Sequence, residues 1–300
     1  MTKPETSRRF APAKINLFLH VGDKRADGYH DLLSLIVFAD MGDWLSLKPA
    51  AALSLGCTGP FAAALANESD NLVLRAARAL MGWAKERRIN APPVALTLEK
   101  NLPVASGIGG GSADAAAALL MLASHWSLPI AIDEMRTLGL SLGADVPVCL
   151  RGQPALVAGI GETLSAAPPL PRFWLVLVNP GVAVATAPIF KALRARSGVT
   201  RPRPFSGSTA HEFALWLDHT TNDLTAPATA LAPVITQVEA AITATEGCLL
   251  ARMSGSGATC FGLYGSQAAA DSAAASLAKS HPDWWARAAR CIDTSNEAAH

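Results

Sequence analysis

The sequence predicts a globular α+β protein with two domains. Its 300 residues suffice for about two domains, and 50% of them are hydrophobic while only 16% are charged. Strand patterns dominate residues 10–60, whereas helix and strand patterns are mixed in the second half of the chain. Several prolines in the segment 166–172 mark a hinge, so we predict domains over 1–168 and 169–300.

Hydrophobic periodicity gives the elements of the first half in order. Residues 14–20 alternate apolar and polar side chains, which predicts a strand. An amphipathic pattern predicts a helix over 71–87, with Ser69 or Asp70 as its cap. The other predicted elements are strands over 32–38, 44–48 and 94–99, a turn at 27–28, a buried helix over 113–124 and a helix over 133–143.

The second half predicts a mixture of helices and strands. A Pro/Ser/Gly-rich loop over 198–208 interrupts it. The predicted strands cover 173–179, 249–253, 259–263 and 288–292. The predicted helices begin after 186 and cover 209–219, 227–245 and 267–280.

Composition excludes several classes of function. The 25 basic and 24 acidic residues give a formal net charge of +1, so we expect neither nucleic acid nor a membrane surface as partner. The longest apolar runs fall short of the ~20 residues of a membrane span, and residues 1–10 lack a secretory signal. The cysteines are scattered without a C-x-x-C pair. We expect a cytoplasmic protein, and the sequence leaves open whether it is a monomer or a homodimer.

A glycine-rich segment, 106–112, is the clearest chemical signal in the first half. It reads SGIGGGS and runs directly into the predicted buried helix, with Ser112 expected at the N-cap. Unobstructed backbone N–H groups and the positive end of a helix dipole form an anion cradle, so we favour phosphate binding over a flexible turn. The segment lacks the lysine of a Walker A loop and the third glycine of a dinucleotide fingerprint, and the sequence carries no protein-kinase H-R-D or D-F-G motif.

Three segments together resemble the signature motifs of the GHMP kinase superfamily. They are PAKINL at 12–17, LP at 102–103 with the glycine segment, and SGSGA at 254–258. Two more segments, RADGYH at 25–30 and LGADVP at 142–147, resemble the branch whose substrate carries a cytidine diphosphate group. The resemblance covers residues 10 to about 265, with five segments in the expected order.

This resemblance implies a fold and a reaction. The fold is a ribosomal protein S5 domain 2-like N-terminal domain followed by a ferredoxin-like C-terminal domain. The reaction is ATP-dependent phosphorylation of the 2-hydroxyl of a cytidine-diphosphate-linked methylerythritol, in non-mevalonate isoprenoid biosynthesis. Other members of the superfamily, acting on homoserine or mevalonate, remain alternatives, as does a catalytically silent nucleotide-binding protein.

Lys14 and Asp145 are the catalytic residues that the resemblance implies. Asp145 would accept the proton of the substrate hydroxyl. Lys14 would orient Asp145 and meet the γ-phosphate as a point charge. Without the resemblance, Asp145 could equally cap backbone N–H groups, and Lys14 could be a solvated lysine on an open strand face.

The resemblance also implies two sets of binding residues. The ATP contacts would be Asn71, Leu72, Lys100, Pro103, Val104, Ala105, Ser106, Gly107, Ile108, Gly109, Gly110, Gly111, Ser112 and Ala113. The substrate contacts would be Asn16, Tyr29, His30, Ile160, Thr186, Phe190, Ser254, Gly255, Ser256 and Gly257.

Both sets allow simpler structural interpretations, and the ATP set departs from the family pattern at two positions. Asn71 could simply cap its helix, and Tyr29 and Phe190 could pack rather than stack on cytosine. Ser106 and Ala113 stand where the family more often has glycine and serine. Mg²⁺ is expected to arrive with ATP, and Ser112 is the one residue that could touch it.

Overall fold

The structure is a computed structural model that describes residues 8–66 and 70–292. Within these ranges the chain packs into two compact units that interleave along the sequence. The first unit contains residues 8–13, 42–66, 70–104 and 109–152, and the second contains 14–41, 105–108 and 153–292. The predicted boundary at 168/169 falls within the second unit, so it stays a prediction about sequence domains.

Two long strands contribute residues to both units. They are β1, Arg8–Lys24, and β2, His30–Pro49. Residues 32–38 and 44–48 were predicted as separate strands, but β2 runs through both without a break. Ala39 in the intervening segment is buried, which favours continued sheet pairing over a loop.

The first unit combines parts of β1 and β2 with two further strands and four α-helices. Its further elements are β3 Ser54–Thr58, α1 Leu72–Glu86, β4 Val94–Glu99, α2 Gly110–His125, α3 Ile132–Leu142 and α4 Val146–Arg151. The C-terminal half of β2 pairs antiparallel with β4, and β4 pairs parallel with β3. Helix α2 packs against α1 and α4.

The apolar sequence of α2 explains why this helix is buried inside the first unit. Its alanines and leucines are buried nearly all round, as predicted for a helix without a polar face. Helix α1 instead buries one face, which includes Val73 and Leu80. Asn71 caps α1 by accepting a hydrogen bond of 2.9 Å from the Val73 amide. Asp70 was a predicted cap and does not hold that position; Ser69, the other, lies outside the described residues.

The second unit contains a four-stranded antiparallel sheet with helices. Its elements are β5 Ala155–Gly159, β6 Thr163–Ala166, β7 Trp174–Asn179, α5 Thr186–Ala192, α6 Ala210–Asp218, α7 Thr225–Leu231, α8 Val234–Thr243, β8 Cys248–Met253, β9 Cys260–Tyr264, α9 Gln267–Ser280 and β10 Trp285–Arg290. The order β10-β7-β9-β8 is the ferredoxin-like arrangement. Strand β5 pairs with the N-terminal half of β2 and with β6.

One predicted helix was wrong, and two strands were not predicted. The helix predicted over 227–245 is two helices, α7 and α8, because Pro233 lacks the N–H that a continuous helix would use. Strands β5 and β6 were not predicted, since each is too short for its pattern to stand out. Across the described ranges, we find no helix with the length and apolar character needed to span a bilayer.

Candidate active site

The glycine segment ends in the first turn of α2. Gly109 occupies the N-cap with φ of 64°, so the helix begins at Gly110. Ser112 is therefore the third residue of the helix, and its predicted place at the N-cap was wrong. The backbone of Ala105 and Gly107 is also left-handed, with φ of 51° and 77°. The open N-terminus of this buried helix supplies N–H groups and a positive dipole end, which suits a phosphate.

A buried ionic cluster supports the start of α2 within the first unit. We call Asp43, Lys100 and Asp114 the ionic cluster; all three side chains are almost completely buried. The Lys100 ammonium donates to Asp43 and, at 2.8 Å, to Asp114. Asp43 also accepts the backbone N–H groups of Asn101 and Leu102, at 2.5 and 2.9 Å. A Cβ on Gly110 would lie 3.0 Å from the Lys100 nitrogen, so the ammonium sits directly beneath the helix start.

Charge in the ionic cluster is unbalanced, with two carboxyl groups for one ammonium. Burial raises the pKa of Asp114 to about 7, and Lys100 opposes this shift. Burial lowers the pKa of Lys100, but the two carboxylates more than offset it, so that pKa is raised. Lys100 thus stays charged, and the raised pKa of Asp114 reflects the cost of a second buried carboxylate in the cluster. The Lys100 ammonium is bound to two carboxylates, which does not support the predicted direct contact with ATP.

Asp145 lies at the N-cap position of α4, after α3 ends at Leu142 with Gly143 as its C-cap residue. Its side chain makes no capping hydrogen bond to that helix, and it is half-buried. The Asp145 side chain therefore does not cap α4, and its role as the base stays a prediction.

Lys14 and Asn16 lie on the same face of β1 in the second unit, as the alternating pattern predicts. The Lys14 ammonium donates to Asn16 Oδ1 at 2.8 Å, and both residues are only 3% exposed. The Asn16 amide in turn donates to the Ser34 hydroxyl at 2.7 Å, and that hydroxyl donates to the Phe18 carbonyl at 2.6 Å. The lysine is thus held by a buried chain of hydrogen bonds, which rules out a solvated lysine on an open face.

The third motif contacts the first two motifs inside the second unit. Ser254 is fully buried, and its hydroxyl accepts the Asn16 N–H and donates to the Gly107 carbonyl, both at 3.1 Å. The motif match predicts Ser254 as a substrate contact; its burial and its two hydrogen bonds do not support a direct one. Gly255 and Gly257 are also buried, while Ser256 is half-buried.

Two further groups of predicted substrate contacts lie in the second unit. The rings of His30 and Phe190 stack with centroids 5.9 Å apart, and His30 Nδ1 hydrogen-bonds the Gly22 carbonyl at 3.1 Å. The Tyr29 side chain is 61% exposed. Thr186 and Ser256 share a hydrogen bond of 2.9 Å between their hydroxyls. The sequence predicted five of these residues as substrate contacts: Tyr29, His30, Thr186, Phe190 and Ser256.

The remaining predicted residues differ in their exposure. Ile160 is half-buried in the turn after β5. Among the ATP candidates, Ala105 and Gly111 are exposed, and Leu72, Val104, Gly107, Gly109 and Ser112 are half-buried. Asn71, Pro103, Ser106, Ile108, Gly110 and Ala113 are buried. Asn71 caps α1, so its amide oxygen already has a structural function.

Sequence reasoning missed the carboxylates of the ionic cluster and a buried asparagine, Asn222. Asp114 carried a usable signal, because a lone carboxylate in a helix that is apolar all round requires a buried cation. Asp43 and Asn222 gave no comparable signal, since their partners lie 57 and 31 residues away in sequence.

Family models and near full-length relatives now decide the family. The model described as GHMP kinases N terminal domain matches residues 71–153, and that described as GHMP kinases C terminal matches 209–283. The chain belongs to the GHMP kinase family. It is 55% identical to a 4-diphosphocytidyl-2-C-methyl-D-erythritol kinase of Cereibacter sphaeroides, covering 94% of this chain and 98% of that relative. A Rhodospirillum rubrum kinase of the same name is 52% identical, covering 94% of this chain and 91% of that relative.

Solved GHMP kinases share the fold. A crystal structure of 4-(cytidine 5'-diphospho)-2C-methyl-D-erythritol kinase is 32% identical, with a TM-score of 0.74 over 96% of this chain and all of that one. Homoserine kinase from Cytophaga hutchinsonii is 17% identical with a TM-score of 0.64, covering 97% of this chain and 96% of its own; this likeness concerns the fold alone. The two-domain α+β prediction is confirmed. As a GHMP kinase, this protein is an ATP-dependent small-molecule kinase.

Proposed function

We propose that this GHMP kinase transfers the γ-phosphoryl group of ATP to the 2-hydroxyl of 4-diphosphocytidyl-2-C-methyl-D-erythritol. The near full-length identity to kinases of that name supports this substrate most strongly. The residues of the GYH segment and of all three superfamily motifs are present in this chain. We infer that the reaction takes place in the cytoplasm, in keeping with the scattered cysteines.

The glycine segment and the N-terminus of α2 bind the phosphates of ATP. Gly107, Gly109 and Gly110 leave their N–H groups open, and the helix dipole favours the negative charge. Mg²⁺ would be held mainly by the phosphate oxygens, with the half-buried Ser112 hydroxyl as the protein group near it. The described residues contain no group of three or more His, Cys, Asp or Glu side chains able to hold a metal ion. When bound, the ion would neutralise phosphate charge.

Asp145 acts as the general base and Lys14 as the cation of the reaction. Asp145 accepts the proton of the 2-hydroxyl, and the hydroxyl oxygen attacks the γ-phosphorus as the bond to the ADP oxygen breaks. Lys14 stabilises the negative charge on the transferring group. Its ammonium is held by Asn16 before substrate arrives, so little reorganisation is needed at the moment of reaction.

The cytidine group binds among Tyr29, His30 and Phe190. The stacked His30 and Phe190 rings offer an aromatic surface, and the exposed Tyr29 ring is available to cover a base. Thr186 and Ser256 present hydroxyls that are already joined by a hydrogen bond, while Ile160 adds an apolar flank. Gly255 and Gly257, also predicted as substrate contacts, are buried, and their missing side chains make room for Gly107 and Met253.

Coupled ADP release tests the substrate directly. Purified protein with Mg-ATP is given the cytidylated methylerythritol, methylerythritol without the cytidine group, homoserine or mevalonate. Turnover of the cytidylated compound alone is the expected result. Turnover of homoserine or mevalonate instead would support kinase activity but contradict the proposed cytidine-binding residues. Binding of ATP without turnover of any compound would favour a catalytically silent nucleotide-binding protein.

Replacing Asp145 by Asn tests the base. We expect kcat to fall by about 10²–10⁴-fold, because the amide cannot accept the hydroxyl proton. ATP affinity, measured by calorimetry, should stay close to that of the parent protein. A kcat within a few fold of the parent would remove Asp145 from this role.

Replacing Tyr29 by Ala tests the cytidine contact. We expect the KM for the cytidylated substrate to rise about tenfold or more while the KM for ATP is unchanged, since only base stacking is lost. A lower melting temperature with unchanged KM would instead assign Tyr29 to packing.

A further inference from the structure

The Ser254 hydroxyl occupies a fully buried position where all three motifs meet. It accepts the backbone N–H of Asn16 on β1 and donates to the backbone carbonyl of Gly107 in the glycine segment. The hydroxyl therefore bridges the strand that carries Lys14 and the loop that approaches ATP. Both bonds are 3.1 Å long, and the Ser254 side chain is 0% exposed.

The loop that carries Ser254 is itself held by Asn222. The Asn222 amide nitrogen donates to the carbonyls of Met253 and Gly255, at 2.9 and 2.8 Å, on either side of Ser254. Its amide oxygen accepts the Leu224 N–H at 3.0 Å. Asn222 is 6% exposed, and all of these hydrogen bonds end on backbone atoms. Its side chain therefore determines the course of the loop rather than the position of another side chain.

The chain around Asn222 is tied to β1 as well. The Leu19 N–H donates to the Thr221 carbonyl and the Asp223 N–H donates to the Leu19 carbonyl, both at 2.9 Å. Asn222 thus links β1 to the Ser254 loop through short backbone connections. Hydrogen bonds of the Ser254 hydroxyl connect β1 directly to Gly107. Asn222 holds the loop that carries this hydroxyl.

Space around Gly107 shows how closely the loop and the third motif approach. A Cβ at Gly107 would lie 2.5 Å from the Ser254 carbonyl oxygen and 2.7 Å from the Gly257 nitrogen. The Thr259 N–H also donates to the Ser106 carbonyl at 3.0 Å. The backbone of residues 106–107 therefore packs directly against the backbone of the third motif, so a change in the course of the Ser254 loop is passed on to Gly107.

We propose that Ser254 and Asn222 are positioning residues of the phosphoryl transfer, which set the place of Gly107 relative to Lys14. The inference rests on the proposed function for the identity of the substrate. It goes beyond that function because neither side chain needs to touch ATP or substrate. Loss of either side chain leaves the binding groups present but lets the loop and strand shift, and small displacements of reacting groups lower kcat strongly.

Ser254→Ala, Ser254→Cys and Asn222→Asp test the proposal by steady-state kinetics. Alanine removes both hydrogen bonds; cysteine keeps a weak donor and acceptor in a similar volume. Aspartate keeps the acceptor for Leu224 but cannot donate to the two carbonyls. We expect kcat to fall about tenfold or more in Ser254→Ala and Asn222→Asp, with an intermediate value for Ser254→Cys and KM values within a few fold of the parent.

Thr245→Val is the control for loss of a hydroxyl that, like that of Ser254, makes two hydrogen bonds, although Thr245 is half-buried. The Thr245 hydroxyl bonds the Ile242 carbonyl and the Tyr264 hydroxyl within the same unit, away from the three motifs. Its loss should lower the melting temperature about as much as Ser254→Ala, yet leave kcat unchanged. A kcat of Ser254→Ala within twofold of the parent, or an equal loss of kcat in both variants, would overturn the proposal.

Hydrogen exchange gives a readout that does not depend on the substrate. In Ser254→Ala the backbone N–H of Asn16 loses its acceptor, so its hydrogen exchange, measured by NMR, should be about tenfold or more faster than in the parent. In Thr245→Val the exchange of this N–H should be unchanged. Unchanged exchange at Asn16 would overturn the proposal whatever the substrate is. Absence of turnover by the parent protein would overturn only the proposed function.

Discussion

The two ends of the glycine segment rest on different kinds of polar contact. At its helical end, in the first unit, the ionic cluster of Asp43, Lys100 and Asp114 lies buried beneath Gly110. At Gly107, in the second unit, the Ser254 hydroxyl bonds backbone groups only. One support is charged and carries an excess of negative charge, while the other is neutral. Only the first should respond strongly to pH and to the loss of a single charge.

Replacing Lys100 by Met should have the largest effect on stability. It leaves two buried carboxyl groups without their cation, and we expect a loss of about 3–5 kcal/mol in the free energy of unfolding. Urea denaturation measures this, with Lys279→Met as an exposed control that should change little. A loss below about 1 kcal/mol would mean that the ionic cluster does not hold the helix start.

Replacing Gly107 by Ala should cost less, about 2–3 kcal/mol, because it combines an unfavourable φ with steric overlap. Gly181 is a matched control, since it has the same φ of 77° and no atom within 4 Å of its added Cβ. Gly181→Ala therefore measures the backbone cost alone. Equal losses in the two variants by urea denaturation would show that the close approach to Ser254 carries no cost of its own.

Replacing Asp114 by Asn should have the smallest effect, and one that depends on pH. The pKa of Asp114 is raised from 3.8 to about 7, so the folded protein binds a proton that the unfolded chain releases between these values. The parent therefore loses stability as pH rises from about 4 through 7. The Asp114→Asn variant lacks this loss because its amide does not ionise. At pH 8 we expect the variant to be more stable than the parent, by on the order of 1 kcal/mol.

Asp43→Asn provides the comparison for that pH profile. One Asp43 oxygen accepts two backbone N–H groups while the other binds Lys100, and an amide offers a single oxygen. We expect this variant to lose stability at every pH. Unfolding curves between pH 5 and 8 measure both variants; an Asp114→Asn stability that falls with pH in parallel with the parent would contradict the assignment.

Local patterns predicted the elements better than they predicted the contacts between distant residues. The strand over 94–99 and the helix over 267–280 match β4 and α9 in both bounds, since their patterns repeat over the whole element. The polar face of β1 was also predictable, and Lys14 does meet Asn16 there. The motif residues were found through resemblance, not through periodicity.

The parts of the site that were missed depend on long-range partners. Nothing near Ser254 in the sequence indicates that its hydroxyl bonds Asn16 and Gly107, which lie 238 and 147 residues away. Periodicity places a residue on a face but does not identify what packs against that face. For Asp114 the signal was the conflict between a carboxylate and an apolar helix, and it pointed to a buried cation without naming Lys100.

The interleaved course of the chain limits how this kinase can be recombined with a relative. Residues 169–300 contain the whole four-stranded sheet, so the sequence suggests 168/169 as the point at which to join halves of two relatives. Yet the buried Arg252 in that half donates to the Leu17 carbonyl at 2.9 Å. Leu19 and Val21 of β1 also belong to the hydrophobic core that contains Val176 and Val178 of this sheet. A chimera that keeps the second unit intact must therefore exchange residues 14–41 and 105–108 together with the C-terminal half.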